Sequence, residues 1–95
     1  MRKESRFPVD EAVKVTIDGE PGTVLDGRIV DASENGLRLV LETPLRPACK
    51  VQVEANGALL AGAVAYCIPD GDKHAVGLRL AEPLHSKGKG SIQTI

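Results

Sequence analysis

Apolar and polar residues alternate along most of this chain with a period of two, the period of a β-strand that buries one face. Four segments follow the pattern, namely residues 13–17, 37–41, 50–54 and 76–80. Two further apolar segments, residues 23–30 and 59–68, complete a set of six predicted strands. The last of these is rich in alanine, so we expect either that both of its faces are covered or that its register is crowded.

Turn-forming residues separate the predicted strands. Asn56-Gly57 between two alternating segments is the strongest hairpin signal in the chain. Residues 19–22 and 69–72 are dense in Gly, Pro, Asp and Glu, and the two prolines of residues 43–48 exclude a central strand there. No helical period of useful length appears. We therefore predict an all-β domain with little or no helix. A small six-stranded antiparallel β-barrel is the first choice, because closure removes exposed edges, and a sandwich is the second.

Composition limits the classes of partner. The 95 residues make one domain, with 42% hydrophobic and 26% charged residues. A formal net charge of −1 does not draw the domain to DNA or to an anionic membrane. One Phe, one Tyr and no Trp leave few platforms for stacking nucleic-acid bases. We therefore predict no nucleic-acid partner, and any anion must be bound by locally placed arginines.

Cysteine usage and hydropathy favour a cytoplasmic location. Cys49 and Cys67 have no neighbouring Cys or His at a metal-binding spacing, so we interpret them as partly buried thiols in a reducing compartment. No apolar run approaches the roughly 18 residues of a membrane span, and the charged N-terminus lacks the apolar region of a signal peptide. We divide the chain into an N-terminal arm (residues 1–10), a barrel (11–83) and a flexible tail (84–95).

Two polar clusters stand out against this scaffold. One is Arg2-Lys3-Glu4-Ser5-Arg6, and the other is the stretch from Asp31 to Gly36, which we predict to be the turn between two strands. Asp31 offers a carboxylate and Ser33 a hydroxyl, and Gly36 offers a backbone that reaches positive φ and admits close approach of a ligand. We predict that the two clusters meet in space and clamp one small anionic ligand.

Other polar residues carry weaker signals. Arg38 and Arg79 point away from the apolar side of their strands and are interpreted as solvated charges, with ligand contact as the alternative, while Gly77 is interpreted as a point of close packing near the site. His74 and His85 have no acid or nucleophile at a telling spacing, and we interpret both as surface residues. The sequence contains no catalytic constellation, no metal-ligand cluster and no phosphate-binding loop, so we predict no enzymatic activity and no metal.

The spacing of the two clusters resembles that of the PilZ domain family. Arg2-x-x-x-Arg6 is followed by Asp31-x-Ser33-x-x-Gly36, and about 0.03 copies of the second pattern are expected by chance in this composition. The resemblance extends over nearly the whole chain. Its other parts are Arg6-Phe7-Pro8-Val9, Gly36-Leu37-Arg38-Leu39, Pro44-Leu45 and Val76-Gly77-Leu78-Arg79-Leu80.

The resemblance implies a six-stranded β-barrel that binds cyclic di-GMP, a bacterial second messenger. The implied ligand-binding residues are Arg2 and Arg6, on an arm that wraps the ligand, together with Asp31, Ser33 and Gly36. No cofactor beyond this ligand is implied. The domain would act as a monomer or weak dimer that signals to an unidentified effector protein. The alternative is a PilZ-like adaptor that binds no nucleotide and works only through protein contacts; such members usually have degraded motifs, whereas both motifs are intact here.

Overall fold

The computed structural model describes residues 6–20 and 22–83, and every regular element within them is a β-strand. The strands are β1 (Phe7–Ile17), β2 (Val24–Ser33), β3 (Gly36–Leu41), β4 (Lys50–Ala55), β5 (Ala58–Asp70) and β6 (Lys73–Leu80). Within the described part of the chain, no helix is long and apolar enough to cross a membrane. The predicted all-β class is confirmed.

The six strands close into an antiparallel barrel in the order β1-β2-β3-β6-β5-β4, and β4 pairs back with β1. The predicted barrel is therefore confirmed over the alternative sandwich. Closure gives each strand two hydrogen-bonded neighbours, so the sheet has no open edge. The order also places β3 between β2 and β6, and this arrangement positions the functional site.

The barrel interior is filled by the alternating apolar positions of the strands. Leu39, Val53 and Val76 are fully buried, as the period of two predicts. The complete core consists of Val9, Val13, Val15, Ile29, Ala32, Leu37, Leu39, Leu41, Leu45, Val51, Val53, Ala55, Val64, Val76, Leu78 and Leu80. The buried core of the described residues is thus one contiguous cluster of aliphatic side chains inside the barrel.

The turns behave as their sequences predict. Asn56 and Gly57 have φ values of 53° and 83°, and this pair of positive values identifies the tight hairpin turn between β4 and β5. Residues 42–49 form an irregular loop, as Pro44 and Pro47 require. The turn predicted at residues 69–72 is shorter than expected, because β5 continues through Asp70 and only Gly71 and Asp72 connect it to β6.

The prediction that both faces of the fifth strand are covered is wrong. Leu59, Tyr66 and Ile68 are 65%, 38% and 53% exposed, and they lie on the outer side of the barrel. A closed barrel has one interior, so only alternate residues of β5, such as Val64, enter the core. Alanine is small enough for either face and therefore gave no information about burial.

Strand β1 begins at Phe7, so residues 7–10 of the predicted arm lie in the first strand of the barrel. The backbone of Phe7 pairs with Ala32, and that of Pro8 pairs with Asp31. Residues 1–5 of the arm and the predicted tail, residues 84–95, lie outside the described residues. Cys49 and Cys67 are free and half-buried, which agrees with the interpretation as partly buried thiols.

Candidate functional site

The stretch from Asp31 to Gly36 is not the six-residue turn that the sequence predicts. Asp31 and Ser33 belong to β2, Gly36 begins β3, and only Glu34 and Asn35 form the turn. Ser33 pairs with Gly36 as the last rung of this hairpin. The strands continue through the polar residues because a two-residue turn allows backbone pairing to its very end. The polar groups of the site are thus mounted on paired strands.

A β-bulge decides where the carboxylate of Asp31 points. The register of β2 against β3 shifts by one residue between Ile29 and Asp31, so that Ile29 pairs with Leu39 and Asp31 with Arg38. Without the extra residue, Asp31 would stand opposite the buried Leu37 and would face the core. The bulge at Val30 instead turns Asp31 to the outer face, where its side chain is 19% exposed.

Arg6 joins the two predicted clusters. It directly precedes β1, whose first residue pairs with Ala32, and this pairing brings the guanidinium to the end of β2. Nε and Nη2 of Arg6 donate to Oδ1 of Asp31 at 3.0 and 2.6 Å. Nη1 of the same residue donates to Oγ of Ser33 at 3.4 Å. Ser33 is only 1% exposed. Its buried hydroxyl is connected to the outer face by the hydrogen bond from Arg6.

Arg38 is a site residue that sequence reasoning missed. Its Nη1 lies 3.1 Å from Oδ2 of Asp31, so each oxygen of this carboxylate faces a different arginine. The alternation of β3 correctly places Arg38 on the outer face but does not reveal its partner. That partner depends on the bulge at Val30, which shifts Asp31 into the opposite position.

Gly36 serves close packing and not a left-handed turn. It is not among the residues with positive φ, so the expectation of positive φ at this position is wrong. A Cβ here would lie 3.0 Å from the carbonyl oxygen of Leu78 and 3.7 Å from Oγ of Ser33. Because the Leu78 oxygen is backbone and is held in the β3–β6 ladder, a larger residue would push the two strands apart. The backbone N–H of Leu80 also donates to the Asn35 oxygen at 2.9 Å, which ties the turn to β6.

Two of the remaining candidate residues, Arg2 and His85, lie outside the described residues. His74 is half-buried and pairs with Leu41, at the end of β3 opposite to Gly36. Gly77 is a point of close packing as predicted, because a Cβ there would lie 2.2 Å from Cε2 of Tyr66. Among the residues that the structure describes, no three His, Cys, Asp or Glu side chains are grouped so as to hold a metal ion.

The geometry defines the chemistry available at this rim. Two guanidinium groups, of Arg6 and Arg38, surround the carboxylate of Asp31. These three side chains together carry a net charge of +1, although the whole chain carries −1. Guanidinium forks match phosphate oxygens and paired acceptors. The carboxylate of Asp31 accepts hydrogen bonds from paired N–H donors, and the Ser33 hydroxyl can donate or accept a hydrogen bond. The arrangement suits an anion that also presents hydrogen-bond donors.

Comparisons with known proteins identify the family and the fold. The sequence matches the family model described as PilZ domain over residues 1–95. No curated protein matches the sequence. Among solved structures, the fold is similar to that of the Bacillus subtilis inhibitor of motility, MotI/DgrA, with a TM-score of 0.73 at 12% identity. The match covers 98% of this chain and 48% of that one, so this chain spans about half its length. At this identity the likeness shows a shared fold.

Proposed function

The chain belongs to the PilZ domain family, and from this premise we propose that it is a receptor domain for cyclic di-GMP. The observation that carries the proposal is the position of Arg6, whose guanidinium contacts both Asp31 and Ser33. These residues come from the two separate clusters that the family motif combines, and they meet on the outer rim of the barrel. Arg6 thereby links three of the five proposed ligand-binding residues, because it lies within hydrogen-bonding distance of both Asp31 and Ser33.

The chemistry of cyclic di-GMP complements these groups. The ligand presents two guanines and two phosphates. A guanine offers N1–H and N2–H₂ as neighbouring donors, which the carboxylate of Asp31 can accept and which adenine does not present. Its O6 and N7 form an acceptor pair that fits an arginine fork, and one such bidentate contact is worth about 1–3 kcal/mol of discrimination. We assign the forks to Arg6 and Arg2, and a supporting contact to the Ser33 hydroxyl.

Ligand binding would exchange an internal ion pair for contacts with the ligand. The Arg6 side chain is 40% exposed and that of Asp31 is 19% exposed, so their pair is worth about 1 kcal/mol or less. So weak a pair opposes the release of Arg6 to the ligand only slightly, and a bidentate contact with guanine adds about 1–3 kcal/mol of discrimination against other bases. In this proposal, ligand binding orders the arm that carries Arg2 and Arg6 against the rim at Asp31 and Gly36.

The output of the domain is a protein contact in this proposal. PilZ domains are binding and adaptor domains, not enzymes. Ordering of the arm changes the surface that the barrel rim presents, and we propose that an effector protein reads this change. The conformational entropy lost by the arm opposes binding, so affinity depends strongly on the arginine contacts.

Calorimetric titration of cyclic di-GMP into the full chain tests the proposal, with GTP and cyclic di-AMP as control ligands. We expect saturable binding at micromolar or tighter affinity that is selective for guanine, and the stoichiometry then distinguishes one bound ligand from two. Absence of heat, together with absence of thermal stabilisation at high ligand concentration, would refute the receptor proposal. Capture of a protein partner by the chain without nucleotide would then support the adaptor alternative.

A further inference from the structure

Four residues form a continuous row across the outer face of the barrel. Asp31 of β2 pairs with Arg38 of β3, Arg38 pairs with Gly77 of β6, and Gly77 pairs with Tyr66 of β5. Side chains in directly opposed positions lie about 4.5–5.5 Å apart at Cβ. Arg38 therefore stands between the Asp31 carboxylate on one side and, across the side-chain-free position of Gly77, the ring of Tyr66 on the other.

Arg38 is mounted differently from Arg6. Arg6 precedes β1, whereas Arg38 lies within β3, between β2 and β6, and is paired in register with Asp31 on one side and Gly77 on the other. Its Nη1 is paired with Oδ2 of Asp31 at 3.1 Å, while Arg6 uses the other oxygen. A ligand that draws Arg6 away from Asp31 would therefore leave the carboxylate still paired with Arg38, and the position of the carboxylate would be maintained.

The donors of Arg38 are only partly used. A guanidinium carries five N–H donors, and the Arg38 Nε is buried without a hydrogen-bond partner in the described part of the protein. A buried donor on a charged group that lacks a partner costs free energy, which a nearby acceptor would recover. The side chain as a whole is 43% exposed, although the Tyr66 ring covers the neighbouring Gly77. A ligand oxygen that approaches from the outer face can therefore meet the exposed part of the guanidinium.

We propose that Arg38 is a further ligand-binding residue, which donates directly to a phosphate or guanine oxygen of the bound dinucleotide from the β3 side of the site. This inference rests on the proposed function and adds a third arginine to it. Arg6 and Arg38 then contact the ligand from opposite sides of Asp31, and Arg38 contributes a cation that is fixed to the barrel before the ligand arrives.

Affinity measurements on Arg38→Gln and Arg38→Lys test the proposal, with Arg46→Gln as the matched control. Arg46 is exposed in the irregular loop that connects β3 to β4, and its substitution removes the same charge. We expect R38Q to weaken cyclic di-GMP binding by about tenfold or more, R38K to retain part of the affinity, and R46Q to bind like the wild type. Wild-type affinity in R38Q would overturn the inference while leaving the receptor proposal intact.

A double-mutant cycle separates direct contact from support of Asp31. If Arg38 acted only by holding the carboxylate, R38Q would cost no further affinity in a D31N background. We expect R38Q to lower the affinity of D31N by a further several-fold.

In the wild type, we also expect the Nε–H NMR signal of Arg38 to shift and to exchange more slowly with water when cyclic di-GMP is added. An unchanged Nε–H signal at saturation would overturn the proposal, and failure of the wild type to bind would overturn it together with the receptor function.

Discussion

The guanidinium of Arg6 donates two hydrogen bonds to one oxygen of Asp31, from Nε at 3.0 Å and from Nη2 at 2.6 Å, although the two residues are 25 positions apart in the chain. The pair is partly solvated, so it adds about 1 kcal/mol or less to the stability of the barrel. Its consequence is positional, because it holds a cation against the rim where Ser33 and Arg38 also lie.

Replacement of Arg6 by lysine should reduce the affinity for cyclic di-GMP by at least about tenfold, because lysine keeps the charge but cannot form the bidentate fork. The melting temperature should change little, since a partly exposed ion pair contributes so little to unfolding free energy. Calorimetry and thermal unfolding measure the two effects. Arg46→Lys, the same change in an exposed loop, is the control. Wild-type affinity in Arg6→Lys would refute the bidentate contact.

Replacement of Asp31 by asparagine should weaken cyclic di-GMP binding by about tenfold or more and should reduce its preference over cyclic di-AMP. Asparagine has one acceptor oxygen in place of two, and it cannot neutralise Arg6 and Arg38. Glu34→Gln removes an exposed carboxylate from the adjacent turn and should bind like the wild type. Competition titration with the two dinucleotides measures the selectivity. Unchanged guanine selectivity in Asp31→Asn would show that another group reads the base.

Replacement of Gly77 by alanine should destabilise the barrel by about 1–3 kcal/mol, because the new Cβ would lie 2.2 Å from the Tyr66 ring and the ring must move. In a Tyr66→Ala background the obstacle is gone, and the same substitution should be neutral or slightly stabilising, since alanine loses less backbone entropy than glycine in a strand. Urea unfolding of the four proteins of this cycle gives the coupling. An equal cost in both backgrounds would mean that the ring is not the cause.

Replacement of Ala48 by glycine should stabilise the protein by up to about 1 kcal/mol. For a domain of this size, 1 kcal/mol corresponds to a rise in melting temperature of about 4–8 °C. Ala48 has a φ of 72°, in the left-handed region that favours glycine. The turn around it is fixed, because Cys49 N donates to Arg46 O at 3.1 Å and Ala48 N donates to Val64 O at 2.7 Å.

The control for this prediction is Ala61→Gly, at an exposed position of β5 where the backbone is extended. There the same substitution relieves no strain and only adds entropy to the unfolded chain, so it should lower the melting temperature. Calorimetric unfolding of both variants compares the two signs directly. A loss of stability in Ala48→Gly as large as in Ala61→Gly would show that the left-handed backbone at Ala48 is not strained.

Much of the fold could be predicted because its determinants are local. Alternation at residues 37–41 and 50–54 places Leu39 and Val53 inside, and Asn56-Gly57 encodes a tight turn through backbone conformations that few other residues adopt. The prediction that both faces of β5 are covered failed because alanine fits either face of a strand and so carries no local signal of burial. The spacing of Arg6, Asp31 and Ser33 in the sequence was also sufficient to predict all three as ligand-binding residues.

Local sequence patterns thus specify the class of fold, most strand positions and the residue types of the site. The direction in which those residues face depends on how the strands pair in the barrel. Since side chains alternate with a period of two, one extra residue at Val30 reverses the orientation of Asp31, and a bulge exists only through pairing with another strand. The partnership of Asp31 with Arg38 and the packing of Gly36 on Leu78 depend in the same way on strands that meet only when the barrel closes.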